Sequence, residues 1–217
     1  RLTAWCEFDP SPGDFIRIEG GRVQFWQGSP DLVVDQIEQI ADLSEPPWKR
    51  IDPENHWVEI GLTGVVGGGS RRGISTSGAI VAVRPDSGII ERCPECRRVL
   101  RDGSCTEHGP QRGQEDLRLR FVLDNGVSNA SLLMSREPAE EFLGKDMEGV
   151  RDEISKVGRD GFVSSLRSRT LSKTVSVRGR TIVDEQGAMI LADSAIIETV
   201  SPDNSAKEVM EKWGVTL

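Results

Sequence analysis

From Thr3 to Leu43 short apolar segments alternate with turn chemistry. Thr3 to Phe8 precedes the cluster Pro10-Ser11-Pro12-Gly13-Asp14, Phe15 to Ile18 follows, and after Gly20-Gly21 come the runs Val23 to Gln27 and Leu32 to Ile40. Strands of four to eight residues between Gly, Pro and Asp clusters predict antiparallel β structure, and three or four of them are too few to close a barrel. Residues 46–73 carry Pro46-Pro47, Pro53 and Gly67-Gly68-Gly69-Ser70, which predicts a linker with one short apolar segment, Trp57 to Val66.

A second β-rich block begins at Ile74. Ser77 to Val83 reads as its first strand, and Leu117 to Leu123 alternates, with Leu117, Leu119, Phe121 and Leu123 on one face and Arg118 and Arg120 on the other. Asp124-Asn125-Gly126 turns the chain into a strand from Val127 to Met134. Pro138 then opens a helical region with Met147, Val150, Ile154 and Val157 at helical spacing. Strands return at Thr174 to Val183 and Ala188 to Ala195. Strand, insertion, strand, strand, helix, strand, strand is the element order of a five-stranded oligonucleotide/oligosaccharide-binding (OB) barrel. From Ser201 to Leu217, Ala206, Val209, Met210 and Trp213 predict a short amphipathic helix, and an apolar stripe leaves open whether a partner or the chain's own barrel covers it.

Composition narrows the class. With 217 residues, 36% hydrophobic and 29% charged, the chain can bury a core, and its apolar runs are too short to cross a bilayer, so no membrane partner is expected. Arg at position 1 predicts a piece of a longer protein whose first domain is incomplete. Net charge is −8, yet from Arg159 to Arg180 six bases meet one acid, a local +5 that leaves −13 elsewhere. Residues 1–45 hold three bases and nine acids, which offers phosphate little attraction.

The sharpest chemical signal is Cys93-x2-Cys96-x8-Cys105-x2-His108. Three thiolates and an imidazole on two tight turns supply four soft ligands for a tetrahedral ion, and Pro94, Gly103 and Gly109 suit the turns. This predicts a structural Zn2+ with no open position for a catalytic water, and a reducing compartment. Cys6 reads as a small buried hydrophobe, and His56 has no ligand partner nearby. Gly64 to Ser70 lacks the Lys-Ser/Thr pair of a phosphate loop. Outside the metal set no catalytic constellation emerges, so the expected role is not enzymatic.

Arg118 and Arg120 on one strand, and Arg178 and Arg180 on a later one, predict four guanidinium groups on the barrel's outer face; a merely solvated face is the alternative. Trp5, Phe8, Trp26 and Phe121 are the aromatics considered for stacking on bases. Trp26 is the best placed of them, because Phe121 faces the core side of its strand.

The segment from Ser87 to Cys105, with Glu91-Arg92-Cys93-Pro94-Glu95-Cys96 at its centre, resembles archaeal replication protein A, closest to euryarchaeal forms. The resemblance runs from Ala79 to Ile197, and the region from Gly13 to Val34 is similar to the end of a preceding OB domain. It implies a mainly β chain: residues 1–45 the C-terminal part of an OB domain, 46–73 a linker, 74–200 an OB domain with a zinc ribbon inserted at 90–110, and 201–217 a C-terminal helix. It further implies sequence-independent binding of single-stranded DNA in replication, recombination and repair, in the cytoplasm with the nucleoid. Arg118, Arg120, Arg167, Arg169, Lys173, Arg178 and Arg180 would neutralise phosphates and Trp26 would stack bases. Val209, Met210 and Trp213 would meet smaller subunits. Two rivals remain: an assembly core that mainly holds partner subunits, and an RNA-binding zinc-ribbon protein of translation.

Overall fold

The computed structural model describes residues 2–11, 13–26, 29–46, 57–199 and 202–214, with backbone alone at 26, 29, 202–205, 208 and 212. The first block contains β1 (Leu2–Ala4), β2 (Phe15–Ile18), β3 (Arg22–Trp26), β4 (Ser29–Val34), a 3-10 turn (Ile37–Gln39) and β5 (Ile40–Leu43). β4 pairs antiparallel with β3 and parallel with β1, while β2 pairs with β5. The expected strand from Leu32 to Ile40 is therefore broken. The Gln39 side chain accepts from the backbone N–H groups of Asp35 and Gln36, and this local bonding turns the chain between β4 and β5.

The larger block follows as β6 (Val58–Glu59), α1 (Leu62–Gly67), β7 (Arg71–Val83), β8 (Gly88–Arg92), β9 (Ser104–Cys105), β10 (Gly109–Pro110), β11 (Gln114–Asp124), β12 (Asn129–Met134), α2 (Arg136–Leu143), α3 (Met147–Thr170), β13 (Thr174–Asp184), β14 (Gly187–Ile197) and α4 (Pro202–Trp213). β7 pairs antiparallel with β11 and with β13, β11 with β12 and β13 with β14, while β12 and β14 run parallel. Five strands thus close on themselves in the order first, second, third, fifth, fourth. This is an OB barrel, and closure removes its open edges.

Turn 84–87 breaks the first barrel strand, and β8 continues it along the other half of β11. Gly88 sits there at φ +115°, against the Phe162 ring, where a side chain would be strained. The core is inward-facing: Leu117, Leu119, Phe121 and Leu123 are fully buried, with Leu132, Val177 and Ile190 from neighbouring strands and Phe162 and Leu166 from α3. Phe121 meets Phe142 of α2 in a tilted pair, ring centroids 5.5 Å apart and planes at 55°. α3 kinks at Gly158, whose φ of +75° is non-helical.

The expected linker at 46–73 needs correcting where the structure describes it. Leu62 and Val65 of α1 are buried in the barrel core, β6 pairs with β7, and the Ser70 hydroxyl accepts from the Val183 N–H at 3.0 Å. A glycine-rich composition hid a helix that packs Leu62, Val65 and Val66 against the core. Residues 47–56, with His56, lie outside the described residues.

Candidate metal centre and nucleic-acid interface

The loop between β8 and β11 is held at both ends by their pairing, Arg92 opposite Gln114. Within it the Arg97 N–H donates to the Cys93 carbonyl at 2.9 Å and the Cys93 N–H to the Arg98 carbonyl at 2.8 Å, closing the first knuckle. β9 and β10 form the second, with Cys105 opposite Gly109. The outcome gathers Cys93, Cys96, Cys105 and His108, whose ligand atoms all lie within 4.8 Å of one another. The Cys93 sulfur is 3.5 Å from His108 Nδ1, Cys96 is 3.6 Å from Cys105, and Cys105 is 3.8 Å from His108 Nδ1. Metal–ligand bonds of about 2.3 Å to sulfur and about 2.0 Å to nitrogen in a tetrahedron place neighbouring ligands about 3.5 to 3.8 Å apart, so this set fits a single ion.

Electrostatics favour the thiolate at Cys93 and Cys105 and the protonated forms at Cys96 and His108. Backbone N–H groups of Glu107 and His108 point at the Cys105 sulfur and bring its pKa down to about 6, against the opposing effect of burial. Burial pushes the Cys93 thiol up, but N–H groups of Cys96 and Glu95 with the His108 ring bring it below the usual thiol value. Cys93 and Cys105 raise the pKa of His108. Its other ring nitrogen, Nε2, faces the Glu95 carboxylate at 3.6 Å, which Gln111 holds through a 3.1 Å hydrogen bond. Glu95 thus faces the ring nitrogen that a metal-bound His108 would leave free, a position that spacing rules do not reveal.

The second candidate region is the barrel's outer face. Strand register places Arg120 opposite Leu133, Leu133 opposite Leu191, and Leu191 opposite Arg180. One row across β11, β12, β14 and β13 therefore has a guanidinium at each end and an aliphatic middle. The next row, Val122, Ser131, Met189 and Ile182, adds three apolar residues and one hydroxyl to this face. A groove of about 570 Å³ runs over the Leu133, Leu191 and Arg180 part of this face, walled by Arg72, Arg92, Arg118 and Arg180, with one carboxylate, Asp193, while Arg120 lines the adjoining cleft. Arg92 pairs with Asp116, and Arg72 lies 3.6 Å from Asp31 of the first block.

Other expected residues are placed differently. Arg178 does not line the groove: a bulge after it shifts the strand, and its guanidinium lies 5.8 Å from the Trp57 ring centre. The bulge follows from Gly179, whose Cβ would come within 2.2 Å of the Leu191 carbonyl oxygen. Arg167 donates to the Val83 carbonyl at 3.3 Å and Arg169 lies 3.6 Å from Glu153. Neither they nor Lys173 line the groove. The basic sequence window thus disperses, because α3 packs through Phe162, Val163 and Leu166 and takes its arginines with it. Trp26 falls on β3 with its side chain outside the description, while its neighbour Phe25 is exposed; Trp5 and Phe8 lie beyond the end of β1 rather than on a strand. Val209 and Trp213 of α4 are exposed and Met210 is half-buried. Arg72 and Arg92 were missed, one inside the expected linker and one beside the first ligand. Among the described residues no helix is long and apolar enough to cross a membrane.

The fold and site define an OB barrel with a Cys3His loop between its first and second strands. No protein-family model matches the chain, and no curated protein does. Among solved structures it is similar to a chain of a replication protein A heterotrimer bound to ssDNA, at 12% identity and a TM-score of 0.49 over 94% of this chain and 56% of that one. It is also similar to yeast RPA bound to ssDNA (16% identity, TM-score 0.42, 64% and 84% of the two chains). A third likeness is to the second OB-fold domain of replication protein A from Methanococcus maripaludis (13% identity, TM-score 0.31, 59% and 85%). The chain spans a little over half the length of the first of these.

Proposed function

We propose that the chain binds single-stranded DNA without reading its sequence, as the zinc-bearing part of a replication protein A-like complex of archaeal type that serves replication, recombination and repair in the cytoplasm. The row Arg120, Leu133, Leu191 and Arg180 carries this reading. Three strand spacings of about 4.8 Å separate its two guanidinium ends by about 14 Å, a short stretch of single strand. Phosphates meet the ends while bases lie on the aliphatic floor, and no bond is made or broken. Because that floor has no aromatic residue, affinity rests mainly on phosphate neutralisation. The four ligands would hold zinc as a structural ion that fixes the loop beside the groove. β1 to β5 are read as the end of a preceding OB domain, with Phe25 and Trp26 as its stacking candidates.

Binding of a labelled oligo-dT, followed by anisotropy across salt concentration, tests the reading. Affinity should fall steeply with salt, and Arg120→Ala with Arg180→Ala should flatten the slope by about 1.4, two phosphates' worth. An unchanged slope overturns the proposed groove. A second reading, an assembly core for partner subunits, draws on the exposure of Val209 and Trp213. It requires weak, salt-insensitive DNA binding and loss of subunit association on Trp213→Asp.

A further inference from the structure

In the cleft that adjoins the groove at Arg118, one carboxylate holds two guanidinium groups. Asp86 Oδ2 accepts from Arg118 Nη2 at 2.6 Å and from Arg120 Nη1 at 2.8 Å. These arginines stand two residues apart on β11 and repel each other. Burial, then the charges of Arg120, Arg92 and Arg159, push the Arg118 pKa down, while Asp86 pulls it up. The turn that carries Asp86 is tied to β11 by its neighbours. Beside Asp86, fully buried Ser87 donates its hydroxyl to the Arg120 carbonyl at 3.2 Å and accepts from the Arg120 N–H at 3.0 Å, and the Arg84 N–H donates to the same carbonyl at 2.9 Å. The turn that breaks the first barrel strand is therefore bolted to the backbone of one of the arginines its carboxylate holds. Arg118 lines both the groove and a second cleft of about 730 Å³ against the metal loop and α3, where Arg120 and Arg159 also face. Its buried Nε has no hydrogen-bond partner among the described residues, so donor capacity remains after Asp86 is served.

We propose that Asp86, Arg118 and Arg120 form a preset phosphate clamp, in which Asp86 is a positioning residue that holds both forks in register for one phosphodiester of the bound strand. This rests on the single-strand reading above. One carboxylate against two guanidiniums leaves a net charge of +1, and the forks are ordered before the ligand arrives, which lowers the entropic cost of binding.

The sign of one substitution separates the clamp from a plain charge competitor. Removing a negative charge from a phosphate-binding face should by charge alone tighten binding. If Asp86 positions the arginines, Asp86→Asn weakens it. The experiment measures affinity of the whole metal-loaded chain for oligo-dT against salt, for the parent, Asp86→Asn, Arg118→Ala with Arg120→Ala, and all three together. The clamp predicts a loss of roughly fivefold to tenfold for Asp86→Asn. The salt slope should flatten by about 0.7. In the arginine-deleted background Asp86→Asn should change nothing further. Tighter or unchanged binding by Asp86→Asn overturns the clamp while the single-strand reading stands; a parent chain that fails to bind overturns both. Should Asp86→Asn not fold, Asp86→Glu reads the same point, because it keeps the charge but moves the carboxylate by one methylene. Weaker binding then supports positioning and parent-like affinity overturns it.

Discussion

The barrel and the metal loop are neighbours in one chain and are held by different physics. The barrel buries a continuous apolar core from five strands and α3, with Phe121, Phe162 and Ile190 fully out of water. The loop from Cys93 to Gly113 has for a core only Leu100 beside its cysteines. Burial of that size cannot offset the ordering of some twenty residues at about 1 to 2 kcal/mol each. The loop therefore depends on its four ligands, whereas the barrel is self-sufficient. Stability in this chain is a property of parts, and the parts should come apart under different insults.

With zinc held as proposed, the largest effect expected is the loss of loop order on chelation. Zinc binding to small Cys/His sites supplies about 10 to 16 kcal/mol at neutral pH, far more than Leu100 can replace. Chelation, or Cys105→Ser, should abolish hydrogen-exchange protection from Cys93 to Gly113 and leave the β13–β14 ladder protected. Uniform loss through the barrel would break the comparison. Next in size is Phe121→Ala, expected to cost the barrel about 3 to 5 kcal/mol in denaturant unfolding, with no change in metal stoichiometry until the barrel melts.

A pH titration sharpens the same division. Cys105 has its pKa lowered to about 6, so its contribution to loop order is fully present above the usual thiol value and is lost as pH falls through about 6. Over the same descent His108, whose pKa Cys93 and Cys105 raise, takes up the proton that excludes it from the ion. Metal occupancy, read with a chromophoric chelator, should fall with pH through that window while exchange protection of β13 and β14 persists. Occupancy already lost near the usual thiol value would show that the N–H groups around Cys105 do not hold the thiolate.

The difference also explains what was legible beforehand. Ligands of one ion must be close in space, and two knuckles keep them close in sequence, so Cys93 to His108 could be read from spacing. β11 declared itself because a strand with one buried face alternates without interruption from Leu117 to Leu123. Contacts made by folding were hidden. α1 reads as linker because its glycines dominate its composition, although Leu62 and Val65 enter the core. Arg167 and Arg178 look like partners of Arg180 along the chain, but a helix and a bulge carry them elsewhere, while Arg72 and Arg92 reach the groove from distant positions. Asp86 gave no signal, because one carboxylate in a turn resembles any other until both arginines are seen to share its oxygen.

The smallest effects belong on the outer face, where neither core nor metal is involved. Arg178 and Arg180 are both exposed and two residues apart, so from sequence their substitution by alanine should have the same consequence. In the fold they face different surroundings: Arg180 ends the row that begins at Arg120, and Arg178 sits by Trp57. Arg180→Ala should leave unfolding within about 0.5 kcal/mol of the parent. It should flatten the salt dependence of oligo-dT binding by about 0.7. Arg178→Ala should do the reverse, sparing the slope and costing about 0.5 to 1 kcal/mol of stability through the lost ring contact. Equal slopes for the two variants would mean that the strand of DNA passes over the bulge rather than along the groove. The path would then be set by charge spread over β13 instead of by the row that β11, β12 and β14 assemble.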